Sequence, residues 1–133
     1  MTPPEPQNRI RVFVVDDHVM FAESLLLALA GDERIEPLGF AGDALEGVAV
    51  AERLDPDVVL MDLNMPVLDG IDATRMLKRL RPATRVVVVT ASTDPDDRER
   101  ALDAGAAAVV TKTAPAAVVC EAVCAAPVAT AAA

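Results

Sequence analysis

A chain of 133 residues suits one domain, and its 53% hydrophobic content allows an ordinary core without disulfides. Phe13, Phe21 and Phe40 are its only aromatics, so that core has to be built mostly from Val, Leu and Ala. A formal charge of −9 argues against the chain itself gripping nucleic acid or an anionic membrane.

Residues Met1–Asn8 hold three prolines and few apolar side chains, which predicts a disordered leader over 1–8. Arg9–Val15 reads as a first strand with Ile10, Val12, Val14 and Val15 as its apolar positions, and it ends in Asp16-Asp17-His18. A helix follows, with Phe21, Leu25, Leu26 and Leu29 on one face and Gly31 closing it. Ile35–Ala41 is the second strand, and Asp43 caps a helix running to about Leu54. Asp55-Pro56-Asp57 breaks that helix. Val58–Met61 is then a short apolar run without polar alternation, the pattern of a strand buried on both faces.

This central strand delivers Asp62 at its C-terminal end. Met65-Pro66 and Asp69-Gly70 make the next loop short and stiff, and Ile71, Ala73, Met76, Leu77 and Leu80 recur at helical spacing. Arg81-Pro82 ends the third helix. Arg85–Val89 is a β-branched strand reaching Thr90, and Pro95 with Asp94, Asp96 and Asp97 opens a fourth helix that Gly105 terminates. Ala106–Val110 is a short fifth strand leading to Thr111-Lys112. Pro115 serves as the first residue of a fifth helix to about Ala125, and 126–133 is an Ala-rich tail or linker stub. Cys120 and Cys124, four apart, share one face of that helix. His18 is the only histidine, so no Cys/His cluster of zinc spacing exists. No stretch has the form of a signal peptide or a membrane span, which predicts a soluble, cytoplasmic protein without a membrane partner.

Five strands alternating with helices imply a parallel α/β sheet covered on both sides. Asp16, Asp17, Asp62, Thr90 and Lys112 all follow strands, so they share one sheet edge. Carboxylates crowded there repel one another, and a divalent cation relieves the cost. Oxygen-rich sites suit Mg²⁺ or Mn²⁺, and Mg²⁺ readily shares a phosphoryl oxygen. A lysine and a hydroxyl beside them could hold the remaining phosphoryl oxygens. Asp62 is the candidate nucleophile, because a carboxylate can accept a phosphoryl group.

The set Val14-Val15-Asp16-Asp17-His18, Asp62-Leu63-Asn64-Met65-Pro66, Asp69-Gly70, Thr90-Ala91 and Lys112 resembles the receiver domain of two-component response regulators. The likeness covers residues 9–125. The Asp-Asp-His opening, followed by Val-Met-Phe-Ala-Glu-Ser-Leu, is most similar to receivers that precede a LuxR-type helix-turn-helix output domain. The resemblance implies a flavodoxin-like sheet of five parallel strands in the order 2-1-3-4-5, with five helices. It implies that Asp62 accepts a phosphoryl group from a sensor histidine kinase, the chain being a regulatory domain and not an enzyme. Asp17 would bind Mg²⁺ directly with Asp16 in support, and Asp62 and the backbone carbonyl of Asn64 would complete the protein's share. Lys112 would pair with the acceptor carboxylate, Thr90 would hydrogen-bond the phosphoryl oxygen, and Ala91 would leave room for it. A homodimer is a possible active form, and DNA contact would need an output domain outside this chain, which favours a cut near a linker after Ala125.

Two positions depart from that family pattern. Val109 stands where an aromatic is usual, and Thr113 follows Lys112 where proline is usual. They keep open a pseudo-receiver whose state does not depend on phosphate, whether or not it stands alone. A Mg²⁺-dependent aspartyl phosphatase is the enzymatic alternative, but Asn64 occupies the position of that chemistry's second acid. His18 could serve as a phosphoryl relay or metal ligand but reads rather as a helix-start residue beside the site, tuning access at most, with Asp69 ordering its own loop and Met61 and Met65 packing.

Overall fold

The computed structural model describes residues 8–125. The leader expected over 1–8 (Asn8 apart) and the tail over 126–133 lie outside the described residues. The chain alternates strictly: β1 (Ile10–Val15), α1 (Val19–Ala30), β2 (Ile35–Ala41), α2 (Ala44–Leu54) and β3 (Val58–Met61). It continues with α3 (Gly70–Leu80), β4 (Arg85–Thr90), α4 (Pro95–Asp103), β5 (Ala108–Thr111) and α5 (Ala116–Cys124). All strand pairs are parallel and the order is β2-β1-β3-β4-β5, as expected.

Period-two alternation divides the core. Phe13, Val15, Val59, Met61, Val86 and Val88 point into a layer filled by Val48, Ala51, Ile71, Leu77 and Ala101 from α2, α3 and α4. Their alternates Val12, Val14, Val58, Leu60, Val87 and Val89 meet Ala22, Leu25, Leu29, Val119, Cys120 and Val123 from α1 and α5. Cys120 is thus an apolar core side chain, and burial pushes its thiol pKa up. Strands covered on both faces need no polar alternation, which is why β3 reads as an unbroken apolar run.

Side chains start three helices. Asp43, Asp69 and Asp94 accept hydrogen bonds from the N–H groups of Glu46, Asp72 and Asp96 respectively. Asp69 therefore caps α3.

Strand β1 begins at Ile10, one residue after its expected start, and two other boundaries differ for clear reasons. Strand β5 begins at Ala108, because α4 ends in a Schellman motif that draws in the residues before it. Gly105 (φ +115°) donates to the Leu102 carbonyl, and Ala106 donates to the Ala101 carbonyl. At the other end, Pro115 has ψ 149°, outside the helical range, so it caps α5 and Ala116 is the first helical residue.

Gly70 sets how closely α3 approaches the central strand. Its N–H donates to the Leu63 carbonyl at 2.8 Å, and a Cβ here would collide with the backbone carbonyl of Asp62. Gly70→Ala is expected to lower stability by about 1–3 kcal/mol or more, because the obstacle is backbone and cannot rotate away. Urea denaturation of the variant checks this, and an unchanged midpoint would contradict the close approach.

Candidate functional site

Sheet register brings the strand-end residues together. Val15 of β1 pairs with Met61 of β3, so Asp16 and Asp62 leave adjacent strands side by side. The backbone ladder extends one step further: Asp62 N–H donates to the Val15 carbonyl at 2.9 Å, and Asp16 N–H to the Ala41 carbonyl at 3.0 Å. Beyond them Thr90 pairs with Thr111, and Lys112 N–H donates to the Thr90 carbonyl at 2.7 Å. From β1 the chain runs through α1 to β2 on one side, then returns through α2 to β3 on the other side of β1. The acids therefore stand at the topological switch point, where such sheets open a crevice.

Asp16 and Asp62 are buried, at 2% and 3% exposure, and Asp17 is partly exposed. Asp16 is fully engaged: His18 N–H donates to its Oδ1 at 2.8 Å, and Lys112 Nζ lies 2.9 Å from its Oδ2. Lys112 Nζ is 3.6 Å from Asp62 Oδ1, so in this state the lysine sits nearer the supporting acid than the expected acceptor. It also lies 4.6 Å from the centre of the Phe21 ring, whose face favours a cation.

Two carboxylate oxygens, Asp17 Oδ1 and Asp62 Oδ2, are enclosed without a hydrogen-bond partner among the described residues. Enclosed, unpaired anionic oxygens are costly unless a cation meets them. One ligand atom from each of Asp16, Asp17, His18 and Asp62 lies within 4.8 Å of the others, and the donors are mostly carboxylate oxygen. These residues fit a divalent cation.

Thr90 is buried at the same edge, but its hydroxyl oxygen accepts from Ser92 N–H at 3.0 Å. The contact leaves the hydroxyl proton to donate elsewhere. Asn64 is exposed in the β3–α3 loop, and its backbone N–H helps to stabilise the Asp62 carboxylate. Val109 is half-buried, and a cavity of about 220 Å³ opens beside it, lined by Thr90, Ser92 and Arg98 among others.

His18 plays a larger part than its sequence position suggested. It caps α1 without a side-chain cap bond, and its Nδ1 lies 3.2 Å from Lys112 Nζ, 3.4 Å from Asp16 and 3.6 Å from Asp17. Its adjacency to the Asp-Asp pair was the available signal.

Fold and site define the class first: a flavodoxin-like doubly wound domain with an acid-rich crevice at its switch point. Residues 12–124 match the response regulator receiver domain, and the chain belongs to that family, the receivers of two-component response regulators. It is 40% identical over 114 residues to the transcriptional regulatory protein LiaR of Bacillus subtilis, covering 86% of this chain and 54% of LiaR. The chain thus spans about half the length of the curated relatives it matches. Its fold matches the signal receiver domain of Mycobacterium tuberculosis NarL with a TM-score of 0.84 and 30% identity, over 88% of this chain and 94% of that one. A LuxR-family two-component response regulator from Aurantimonas sp. SI85-9A1 matches with a TM-score of 0.82 and 30% identity, over 86% and 82%. Among the described residues no helix is long and apolar enough to cross a membrane.

Burial, and next the Asp16 charge, hold the Asp62 carboxyl above its ordinary pKa, while Lys112 and the Asn64 N–H pull the other way. The folded state therefore holds this proton more tightly than the unfolded chain. The resulting penalty is absent below the unfolded pKa, grows as pH rises toward the folded value, and is complete above it. Asp62→Asn, without divalent cations, is expected to raise the urea midpoint at neutral pH. The advantage should close as pH falls into the ordinary carboxylate range. A lower midpoint for the variant at neutral pH would count against electrostatic strain at Asp62.

Proposed function

We propose that residues 9–125 are the phosphoacceptor unit of a two-component relay, with Asp62 receiving the phosphoryl group from a phosphohistidine of a sensor histidine kinase. The observation that carries this reading is the buried Asp62 Oδ2, which has no hydrogen-bond partner among the described residues and lies beside a lysine and two further acids. A carboxylate oxygen attacks phosphorus, the new O–P bond forms as the P–N bond breaks, and the imidazole departs. Lys112, 3.6 Å from Asp62 Oδ1, is placed to follow the charge as it moves onto the phosphoryl oxygens. The Thr90 hydroxyl proton is free to donate to one of those oxygens, and exposed Ala91 presents no bulk against them.

Mg²⁺ is the cation this reading requires, and when bound it neutralises charge on the transferring group. Asp17 and Asp62, with their unpaired oxygens, suit direct ligation together with the Asn64 carbonyl. Asp16, occupied by Lys112 and His18 N–H, suits a supporting role. Phosphorylation then switches an output surface, with a homodimer as a possible active form. Transcription is regulated through a helix-turn-helix domain outside these residues, in keeping with the regulators the chain resembles.

Intact-mass spectrometry after incubation with a small acyl-phosphate donor tests the assignment. One phosphoryl adduct is expected in the presence of Mg²⁺, none without it, and none in folded Asp62→Asn. An adduct of the same stability in Asp62→Asn would place the acceptor elsewhere. Failure of the folded chain to label, from either the small donor or a phosphorylated kinase domain, would favour a module that works without phosphate.

A further inference from the structure

We infer that the His18 imidazole is a fourth ligand at this site, which lets it hold a borderline divalent cation such as Zn²⁺ through nitrogen as well as Mg²⁺ through oxygen. The inference rests on the carboxylate cation site proposed above and concerns which cations that site takes.

The ring nitrogen that faces the acids is Nδ1. It lies 3.4 Å from Asp16 Oδ1 and 3.6 Å from Asp17 Oδ1, and Asp62, whose Oδ2 is enclosed without a hydrogen-bond partner among the described residues, belongs to the same cluster. Lys112 Nζ, itself a cation, stands 3.2 Å from this nitrogen, 2.9 Å from Asp16 and 3.6 Å from Asp62. An ammonium only donates hydrogen bonds, so at this contact Nδ1 is the acceptor and its lone pair points into the crevice. The ammonium thus already draws on two carboxylates and an imidazole nitrogen together.

The candidate ligand atoms of Asp16, Asp17, His18 and Asp62 lie within 4.8 Å of one another. Tetrahedral donors about 2.1 Å from one ion lie ~3.4 Å from one another, so the most distant pair here closes by up to about 1.4 Å, a movement open to the exposed His18 and the partly exposed Asp17 side chains. Mg²⁺ takes oxygen and keeps its waters, and gains little from an imidazole. Zn²⁺ and other borderline cations favour one. His18 is exposed at 66% of its side chain, so it can turn without disturbing the core. On binding, Lys112 gives up Nδ1 and keeps a carboxylate.

Because His18 is the only histidine, its ring nitrogens can be observed without ambiguity in an untagged, ¹⁵N-histidine-labelled chain. The experiment records them by long-range ¹H–¹⁵N correlation at a pH of about 8, above the ordinary histidine range. Zn²⁺ and Mg²⁺ are added separately, with calorimetry on the wild type and His18→Ala. Zn²⁺ is expected to shift Nδ1 at one equivalent and Mg²⁺ to leave it nearly in place. His18→Ala should lose roughly tenfold or more in Zn²⁺ affinity and no more than about twofold for Mg²⁺. Zn²⁺ bound with Nδ1 unmoved, a shift at Nε2 instead, or equal losses for both cations would overturn the inference and leave the carboxylate site standing. Binding of neither cation would overturn both.

Discussion

Three carboxylates and one ammonium at the carboxyl edge of a parallel sheet are the arrangement on which this domain depends. Unit charges a few ångströms apart under partial burial interact far more strongly than in water, and here three of the four are negative. Lys112 offsets them in part, and it divides its attention between Asp16 at 2.9 Å and Asp62 at 3.6 Å. Phe21, one of three aromatics in the chain, lies under the ammonium and steadies it from α1. The fold therefore holds a charge imbalance that, on the reading proposed above, a cation and an incoming phosphoryl group would change in opposite directions. That opposition makes the site responsive.

Such an imbalance persists only where the backbone cannot yield. The residues preceding the acids, Val15 and Met61, are fully buried, and both side chains pack into the layer formed with α2, α3 and α4. Glycines let the helices close on them. A Cβ at Gly47 of α2 would come within 2.6 Å of Val15 Cγ1, and one at Gly70 of α3 would strike the Asp62 carbonyl. Two glycines thus fix the helix-to-strand distance one residue from the charges, where a small displacement would alter every separation in the site.

The parts legible in the sequence were those set by local pattern. Short apolar runs bounded by breaks marked the strands, and acids after strands marked the shared edge, because parallel connection places all strand ends together. What escaped depended on side-chain direction or on unfavourable local choices. His18 and Lys112 stand 94 residues apart, and nothing in the spacing announces that the two side chains meet. The preference of Lys112 for Asp16 over Asp62 is a matter of rotamer. Val67 adopts φ +72°, a conformation β-branched residues rarely take, so no propensity argument would put it there. In β2, Pro37 and Gly39 (φ +118°) accompany a register shift against β1, a bulge that an edge strand tolerates.

The absence of an aromatic at Val109 is met by polar links between β4, α4 and β5. Thr90 Oγ1 accepts from Ser92 N–H, Ser92 Oγ donates to Asp97 Oδ2 at 2.6 Å, and Arg98 donates to the Val109 carbonyl at 3.1 Å. These bonds connect the buried edge of the site to the first turns of α4 without a large side chain. If Thr90 were to turn its hydroxyl oxygen away from Ser92, that N–H would lose its partner and the loop carrying Ser92 would gain freedom. Asp97 would then be released from the same loop. An aromatic side chain swings between a pocket and solvent, and its two positions are separated by burial. A hydrogen-bonded loop separates its states by which polar group is satisfied, at a cost of about 0.5–1.5 kcal/mol per exchanged bond. On the phosphoacceptor reading proposed above, a switch built that way would have a shallower division between its states than one built on a buried ring.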